Sequence, residues 1–388
     1  MTVRTPLAWK NLTADRRRLA LAVAGVGFAC VLMFMQNGFR NALLDSPVRW
    51  LRMLRCDLMA VSRARYSLPA EQSFPRSLLD RAAGDRDVVA VASLPIERVR
   101  AQVRVGDRPR RPIRTIGIPT DPAWFTDPVL LTKLERLTLP RAALVDAMTR
   151  PEFGFSRDPE TLPRQSVELS GRELRVVGSV AIGTDFANEG TLLLGQQEFA
   201  RTFPFRGSGA PLAETDLGLI RIAPGADVEA VARRLTALAD DQWEVLPRQA
   251  LIDREIAFWD QQTPIGTIFY TGVMMGFAVG IVICYQVLYS GIQDAMPEFA
   301  TLKAIGYPNR FFVGLVVRQS LYLAWLGFLP GLVTSWGLFR LLEIASGLPM
   351  LLTLGRAATV LVLAMAMCLA SGLLALRKLL RADPANLF

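Results

Sequence analysis

The chain has 388 residues, of which 51% are hydrophobic and 20% charged, and it carries a formal net charge of +9. Its mean hydropathy of +0.29 is too high for an ordinary soluble domain, yet the charged share is too large for a chain wholly buried in lipid. The positive charge is spread along the chain instead of forming one basic face with interleaved aromatic residues, so we predict no nucleic acid among its partners.

Four apolar stretches are each long enough to cross a membrane, because a bilayer core about 30 Å thick needs ~20 apolar residues of helix. We place the four spans at residues 19–39, 265–289, 320–340 and 357–376. The third lies inside a longer apolar run, so that Arg318 stays near an interface, and Pro330 predicts a kink within it. The first exceeds the ~7–15 apolar residues of a signal peptide and is not followed by an A-x-A site, so we interpret it as a retained anchor.

Flanking charge predicts that both chain ends lie in the cytoplasm. Three arginines at residues 16–18 precede the first span, and Arg377 and Lys378 follow the fourth. Positively charged flanks stay on the cytoplasmic side. The predicted segments are a cytoplasmic N-terminus at 1–18, a periplasmic domain at 40–264, a cytoplasmic loop at 290–311, a short periplasmic loop at 341–356 and a cytoplasmic C-terminus at 377–388.

The large domain between the first two spans has the pattern of an α+β fold. "ERVRAQVRV" and "RPIRTIGI", within residues 97–118, predict two strands joined through a Gly-Asp turn. "SVELSGRELRVVGSV" at 166–180 repeats this strand–turn–strand pattern. Residues 217–246 predict a strand, a helix and a further strand, a combination that builds a layered sandwich. A proline-rich stretch predicts an inserted subdomain at about residues 119–204.

Two amphipathic segments connect this domain to the neighbouring spans. "RNALLDSPVRWLRMLR" at 40–55 and "RQALIDREIAFWDQQ" at 248–262 place apolar residues at helical spacing. Two continuous helices that rise from the bilayer as a stalk explain both segments, and we favour this interpretation. The alternative is that each helix lies flat on the lipid headgroups.

The stretch "PEFATLKAIGYP" at 297–308 predicts a short capped helix between the second and third spans. Pro297 suits the first helical position, where its missing N–H costs nothing. Glu298 lies in the first turn, where negative charge meets the positive end of the helix dipole. Gly306 fits the left-handed position after the helix, and Pro308 prevents its continuation.

Phe299, Leu302 and Ile305 follow one another at spacings of three along this helix. We predict that they line one side and that they are too few to hold the helix in place alone. Two interpretations remain open. The helix either lies in the interface and merely joins two spans, or it docks with its exposed face into a cytoplasmic partner.

"EFATLKAIGYPNRFF" at 298–312 resembles the cytoplasmic loop of ABC permeases of the MacB/FtsX superfamily, in which an acidic residue precedes a leucine-rich turn and a final glycine. "MFMQNGFRNALLDS" at 33–46 and the terminal "RADPANLF" at 381–388 resemble the DevC-type permeases of exporters known from cyanobacterial heterocysts. The resemblance covers the membrane segments well, and the large domain mostly by its size and position.

The resemblance implies a membrane protein with four transmembrane α-helices and a large α+β periplasmic domain between spans one and two, the type VII ABC transporter fold. It implies that the inner loop is a coupling helix seated in an ABC ATPase subunit, with Leu302 in an apolar recess of that subunit. The contact residues that it implies are Glu298, Thr301, Leu302, Lys303, Ala304, Gly306 and Tyr307.

The same resemblance implies further partners and a location. These are a periplasmic membrane-fusion adaptor, a TolC-like outer-membrane channel and a second permease copy in a homodimer, with the chain in the lipid bilayer of a bacterial inner membrane. The implied function is mechanotransmission in a tripartite exporter of a lipid-like or other amphipathic substrate. Two alternatives stay open, an FtsX-like regulator of a periplasmic cell-wall hydrolase and a lipoprotein-releasing permease.

No pattern in the sequence supports a catalytic, cofactor-binding or metal site. The chain has no histidine, which excludes a Ser–His–Asp triad. None of its lysines follows a glycine, so no Walker A loop is present and we expect ATP and Mg²⁺ on the partner ATPase. The four cysteines form no CxxC pair, which argues against a zinc site. We therefore predict a non-catalytic subunit.

Overall fold

The computed structural model describes residues 7–185, 187–206, 210–346, 350 and 352–380. The chain divides into two compact units, which we call the helical unit and the α+β unit. The helical unit comprises the described parts of Met1–Ala42, Pro264–Ile344 and Met350–Phe388, and the α+β unit those of Leu43–Thr263 and Ala345–Pro349.

The α-helices follow in chain order. They are α1 (Leu7–Thr13), α2 (Arg16–Asp45), α3 (Ser77–Ala82), α4 (Pro128–Leu131), α5 (Gln196–Thr202), α6 (Val228–Thr236), α7 (Arg248–Ala257), α8 (Pro264–Asp294), α9 (Met296–Ala304), α10 (Asn309–Ser346) and α11 (Leu354–Leu380). Helices α2, α8, α10 and α11 are long and apolar enough to cross a membrane. With an α+β domain between the first and second of them, the structure confirms the predicted fold class.

Each of these four helices extends beyond the span predicted from the sequence at both ends, and α10 runs through Pro330. Parts of the predicted segments lie outside the described residues. These parts are 1–6 of the N-terminus, 186 and 207–209 of the large domain, 347–349 and 351 of the loop at 341–356, and the terminal stretch at 381–388.

The strands belong to the α+β unit. They are β1 (Leu58–Ser62), β2 (Phe74–Pro75), β3 (Val88–Leu94), β4 (Ile96–Glu97), β5 (Gln102–Arg104), β6 (Arg111–Pro112), β7 (Arg114–Ile118), β8 (Ala142–Asp146), β9 (Ser166–Leu169), β10 (Arg172–Val180), β11 (Thr191–Gly195), β12 (Glu214–Thr215), β13 (Leu217–Ile222) and β14 (Trp243–Pro247). They form a four-stranded sheet in the order β14-β1-β13-β3, an eight-stranded sheet in the order β4-β7-β11-β8-β10-β9-β5-β6, and the pair β12-β2.

The local strand predictions are confirmed in three places. β5 pairs antiparallel with β6 across a turn at Gly106, and β9 pairs antiparallel with β10 across Ser170 and Gly171. The strand–helix–strand pattern is present as β13, α6 and β14, and both strands pair with β1. The inserted subdomain at about 119–204 stays a prediction, since the eight-stranded sheet also takes strands from residues 96–118.

The strand predicted over residues 97–105 is interrupted. β4 ends at Glu97 and β5 begins only at Gln102. Between them, the backbone N–H groups of Arg98 and Val99 donate to the Glu71 carboxylate at 3.2 and 3.0 Å. The Glu71 carboxylate therefore binds backbone N–H groups that, in a continuous strand, would be available for hydrogen bonds to a neighbouring strand.

Small residues bring the helices of the helical unit close together. A Cβ on Gly280 of α8 would lie 1.9 Å from the Met367 sulfur of α11. A Cβ on Gly331 of α10 would lie 3.0 Å from the carbonyl oxygen of Gly27 in α2. Gly327 and Gly331 form a G-x-x-x-G pattern, and small residues at such spacing let membrane helices approach closely.

The chain does not form one continuous helix through residues 40–55 or from residue 248 into α8, which corrects the prediction of two continuous stalk helices. Helix α2 ends at Asp45, two residues before Pro47. Thr263 is extended, with φ −117° and ψ 156°, directly before Pro264. A residue that precedes proline is disfavoured in the α conformation, because its backbone clashes with the proline ring.

The apolar residues of the predicted stalk pack inside the α+β unit instead. Val48, Leu51 and Leu54 belong to one buried cluster with Leu251 and Ile252 of α7. Trp50–Met53 forms a short 3₁₀-helix, so the spacing that suggested a long amphipathic helix here serves the core of a domain.

Candidate functional site

The candidate site is the loop between α8 and α10, and its only regular element in the described residues is the predicted short helix, α9. The helix begins at Met296, one residue before Pro297, so the missing N–H of the proline falls in the unpaired first turn. Glu298 also lies in the first turn and Lys303 in the last. The negative charge thus lies at the positive end of the helix dipole and the positive charge at its negative end, and both arrangements stabilise the helix.

Two backbone hydrogen bonds close the C-terminal end of α9. The N–H of Tyr307 donates to the carbonyl of Leu302 at 3.1 Å, and the N–H of Gly306 donates to the carbonyl of Lys303 at 3.0 Å. Gly306 has φ +104°, a conformation that glycine adopts without a Cβ penalty. This is a Schellman motif, and it fixes the chain that follows the helix in one direction.

One aromatic side chain anchors α9 to the helices around it. Phe299 is buried and packs edge-on against Phe312 of α10, with 5.5 Å between the ring centroids. The same cluster contains Ile292 of α8, Leu376 of α11 and Ala8 of α1. The inner side of α9 is therefore part of one apolar cluster with residues of α1, α8, α10 and α11.

The predicted contact residues lie mainly on the opposite side. Those that are exposed are Glu298, Thr301, Lys303, Ala304, Gly306 and Tyr307. Leu302 is half-buried and packs against the Phe299 cluster, so it does not share their exposure. Ile305 exposes 70% of its surface, although the sequence grouped it with Phe299 and Leu302 on one side.

The exposed end of α9 is thus more apolar than the sequence predicts. Ile305 and Tyr307, the latter 43% exposed, stand beside the Gly306 turn. The ring of Tyr307 lies 4.7 Å from the ring of Phe311. We call Ile305 and Tyr307 the apolar tip. The exposure of Ile305 could have been predicted from one feature of the sequence. Ile305 directly precedes Gly306, the glycine that ends the helix, and so lies beyond the last turn of α9.

A cavity of about 280 Å³ that contains both charged and apolar lining residues lies beside α9. The Arg18 guanidinium, at the start of α2, donates to the Asp294 carboxylate at the end of α8, with 2.6 Å between the atoms, and also bonds the Ser290 hydroxyl. Asp15 accepts the backbone N–H groups of Arg17 and Arg18 at 2.9 and 3.1 Å and thereby caps α2. An ion pair therefore connects the start of α2 to the chain that enters α9.

The described residues contain no group of three or more His, Cys, Asp or Glu side chains arranged to hold a metal ion. The most buried carboxylate of the α+β unit with charged partners is Asp216, which accepts from Arg65 at 2.7 Å and from Arg206 at 2.8 Å. Asp216 also accepts the backbone N–H of Ile96 at 2.7 Å. With all these partners engaged, the cluster is suited to holding strands in place.

The C-terminal part of the chain matches a known family. Residues 270–384 match the model of the FtsX-like permease C-terminal domain, a range that contains most of α8 and all described residues of α9, α10 and α11. The comparison with curated proteins gave no match.

Two solved structures are similar to part of the chain. One is the periplasmic region of MacB from Actinobacillus actinomycetemcomitans, at 11% identity and a TM-score of 0.35, over 54% of this chain and 96% of that one. The other is the extracellular domain of the noncanonic ABC-type transporter YknZ from Gram-positive bacteria, at 13% identity and a TM-score of 0.32, over 49% of this chain and 98% of that one.

Proposed function

We propose that this chain, whose residues 270–384 match the FtsX-like permease C-terminal domain, is the permease subunit of an ABC exporter of the DevC type. In this proposal a separate ATPase subunit hydrolyses ATP, and two permease copies work with a periplasmic adaptor and a TolC-like outer-membrane channel. Both chain termini and α9 lie in the cytoplasm. The substrate is lipid-like or otherwise amphipathic and enters from the periplasm or the outer leaflet.

The observation that carries the proposal is the apolar tip of α9. Within a loop between two membrane-length helices, Ile305 is 70% exposed, and the Schellman turn holds it in a fixed position. Burying such a side chain against a partner contributes about 1.5–3 kcal/mol. Tyr307, 43% exposed beside Ile305, is of a residue type that is enriched in protein-binding hot spots.

The packing around α9 supports its role in transmitting movement. Phe299 belongs to one buried cluster with residues of α8, α10 and α11, and Asp294 forms an ion pair with Arg18 at the start of α2. We therefore expect a displacement applied at Ile305 to act on the helices that share this cluster, because packed protein interiors resist deformation.

The experiment that tests this proposal is the substitution Ile305→Asp, followed by purification from native membranes. An exposed aspartate costs the isolated permease little, but a carboxylate buried at an interface without a partner costs several kcal/mol. A loss of ~3 kcal/mol weakens docking about 150-fold. We expect normal amounts of permease in the membrane and loss of the co-purifying ATPase.

Two control variants accompany it. Ile305→Val keeps the apolar tip and should retain the ATPase. Val99→Asp makes the same kind of change at a side chain that is 68% exposed in the α+β unit, and it should also retain the ATPase. If Ile305→Asp recovers as much ATPase as the wild type does, the assignment of α9 as the docking surface is wrong.

Three further measurements test the rest of the proposal. The purified chain should hydrolyse no ATP until the ATPase is added. A tag at the exposed residue 110, between β5 and β6, should be accessible from outside the inner membrane only. Co-purification of an adaptor supports export, whereas co-purification of a cell-wall hydrolase would support the regulatory alternative instead.

A further inference from the structure

A groove of about 510 Å³ opens at one end of the four-stranded sheet. Because the sheet is antiparallel, the starts of β1 and β3 and the ends of β13 and β14 meet at this end. Arg55 and Asp57 precede β1, Val89 lies at the start of β3, Ile222 ends β13 and Arg248 follows β14. The groove has the volume of a small-molecule site.

The groove has an excess of positive charge. Arg55, Arg221 and Arg248 line it together with a single carboxylate, that of Asp57. That carboxylate already accepts the backbone N–H of Ile222 at 2.9 Å. Three guanidinium groups against one carboxylate leave a local charge of about +2, which suits a doubly charged anion.

Arg55 and Arg221 differ from other arginines in the same unit. Arg63, Arg104 and Arg234 each form an ion pair with a carboxylate. Among the described residues, neither Arg55 nor Arg221 forms an ion pair with a carboxylate. Their charge is therefore available to a ligand.

The surroundings of Arg221 position it for binding. Its guanidinium lies 4.9 Å from the ring centroid of Trp124, and its Nε is buried without a hydrogen-bond partner among the described residues. The backbone N–H of Arg55 donates to the Trp124 carbonyl at 2.8 Å. Arg248 donates to the carbonyl of Leu54 at 2.6 Å. A buried donor without a partner is costly, and an anion with several acceptor oxygens would satisfy it.

Two apolar side chains also line the groove. Val89 exposes 61% of its surface and lies on β3, an edge strand of the sheet. Ile222, on the neighbouring strand, also lines the groove. Apolar surface next to unpaired guanidinium groups fits a molecule with a charged head and an apolar body.

We propose that this groove binds the phosphate group of an amphiphile, with Arg55 and Arg221 on the phosphate and the apolar part of the ligand against Val89. The planar guanidinium binds phosphate through two parallel hydrogen bonds, a geometry that lysine does not offer. The site is independent of α9, so its test does not depend on ATPase docking.

The test measures binding to the full-length chain in a neutral detergent by isothermal titration calorimetry. The probes are lysophosphatidic acid, a monoacylglycerol of the same chain length, and inorganic phosphate. We expect lysophosphatidic acid to bind most tightly, inorganic phosphate more weakly, and the uncharged monoacylglycerol at least tenfold more weakly than lysophosphatidic acid. Raising the salt concentration should weaken the binding of both lysophosphatidic acid and inorganic phosphate.

Four variants separate the contributions. Arg55→Gln and Arg221→Gln should each weaken lysophosphatidic acid binding by on the order of tenfold, the effect of losing one charge-assisted hydrogen bond. Val89→Ser should weaken the binding of lysophosphatidic acid but not the binding of inorganic phosphate. Arg104→Gln, at an arginine paired with Glu168, is the matched control and should leave both unchanged. Because Arg55 is exposed, its variant tests the site even where Arg221→Gln lowers stability.

Three results would overturn the proposal. Lysophosphatidic acid binding that is equal in wild type, Arg55→Gln and Arg221→Gln would place the phosphate elsewhere. Equal affinity for inorganic phosphate and lysophosphatidic acid would show that the apolar part of the ligand does not contribute to binding, which contradicts the proposal of an amphiphile site. Binding of a polyglutamate peptide that depends on both arginines, without lysophosphatidic acid binding, would make the groove a contact for an acidic protein segment.

Discussion

Replacing Gly306 by alanine tests whether the rigid turn after α9 is needed to present the apolar tip. Gly306 has φ +104° and its added Cβ would meet no atom within 4 Å, so the cost arises from the backbone and not from a clash. A residue with a side chain in such a sparsely populated region costs about 1–3 kcal/mol. We expect the Schellman hydrogen bonds of Gly306 and Tyr307 to open about 5- to 150-fold more often.

Amide hydrogen exchange of the full-length chain in detergent measures this opening directly. Peptides that cover residues 296–308 should lose protection in Gly306→Ala, and ATPase recovery should fall although every exposed side chain of the loop is unchanged. Gly314→Ala is the matched control, because Gly314 lies inside α10 with no atom within 4 Å of an added Cβ and without a positive φ. Alanine there should be neutral or slightly stabilising. Equal protection in wild type and Gly306→Ala would refute the argument.

Three other predictions concern stability and reactivity. Gly280→Leu inserts a side chain where a Cβ alone would lie 1.9 Å from the Met367 sulfur; overpacking of about 1–3 kcal/mol should lower the thermal unfolding temperature in detergent, and an unchanged temperature would contradict the close α8–α11 contact. The hydrogen bond from Arg234 lowers the pKa of Asp85 to about 2, so its stabilising effect is present above pH ~4 and is lost as the pH falls toward ~2. Arg234→Gln should therefore be less stable than wild type near neutral pH, and the difference should shrink as the pH falls through ~2, as measured by denaturation at a series of pH values. Burial raises the pKa of the Cys56 thiol to about 12, so maleimide should label Cys56 only after denaturation, and rapid labelling of the folded protein would show that the thiol is accessible.

The sequence predicts local strand structure well because alternation and turn residues act over short distances. The hairpin from β9 to β10 needs only its own residues, with Ser170 and Gly171 at positive φ. The order of the eight-stranded sheet is different, since β7 pairs parallel with β11 from Thr191 to Gly195. Nothing in either strand specifies a partner so distant along the chain, so this pairing depends on the packing of the whole unit.

The prediction of continuous stalk helices failed for a reason that the sequence contains. Helical spacing of apolar residues at 40–55 and 248–262 suggested long helices, but Pro47 and Pro264 lie at the points where the helices are interrupted. Amphipathic spacing states only that one face is buried. The residues that break the helix decide whether that face belongs to one long helix or to the core of a domain.

The position of Ile305 shows where spacing arguments on a short helix reach their limit. Each helical residue turns the chain by about 100°, so steps of three residues drift by about 60° and two steps by about 120°. Phe299, Leu302 and Ile305 therefore pass from buried through half-buried to exposed. The resemblance placed Leu302 in an apolar recess of the partner, which makes Leu302→Asp an obvious test of docking, but this change would also disturb internal packing against the Phe299 cluster. Ile305→Asp alters only the exposed end, so a loss of ATPase binding in that variant has docking as its cause.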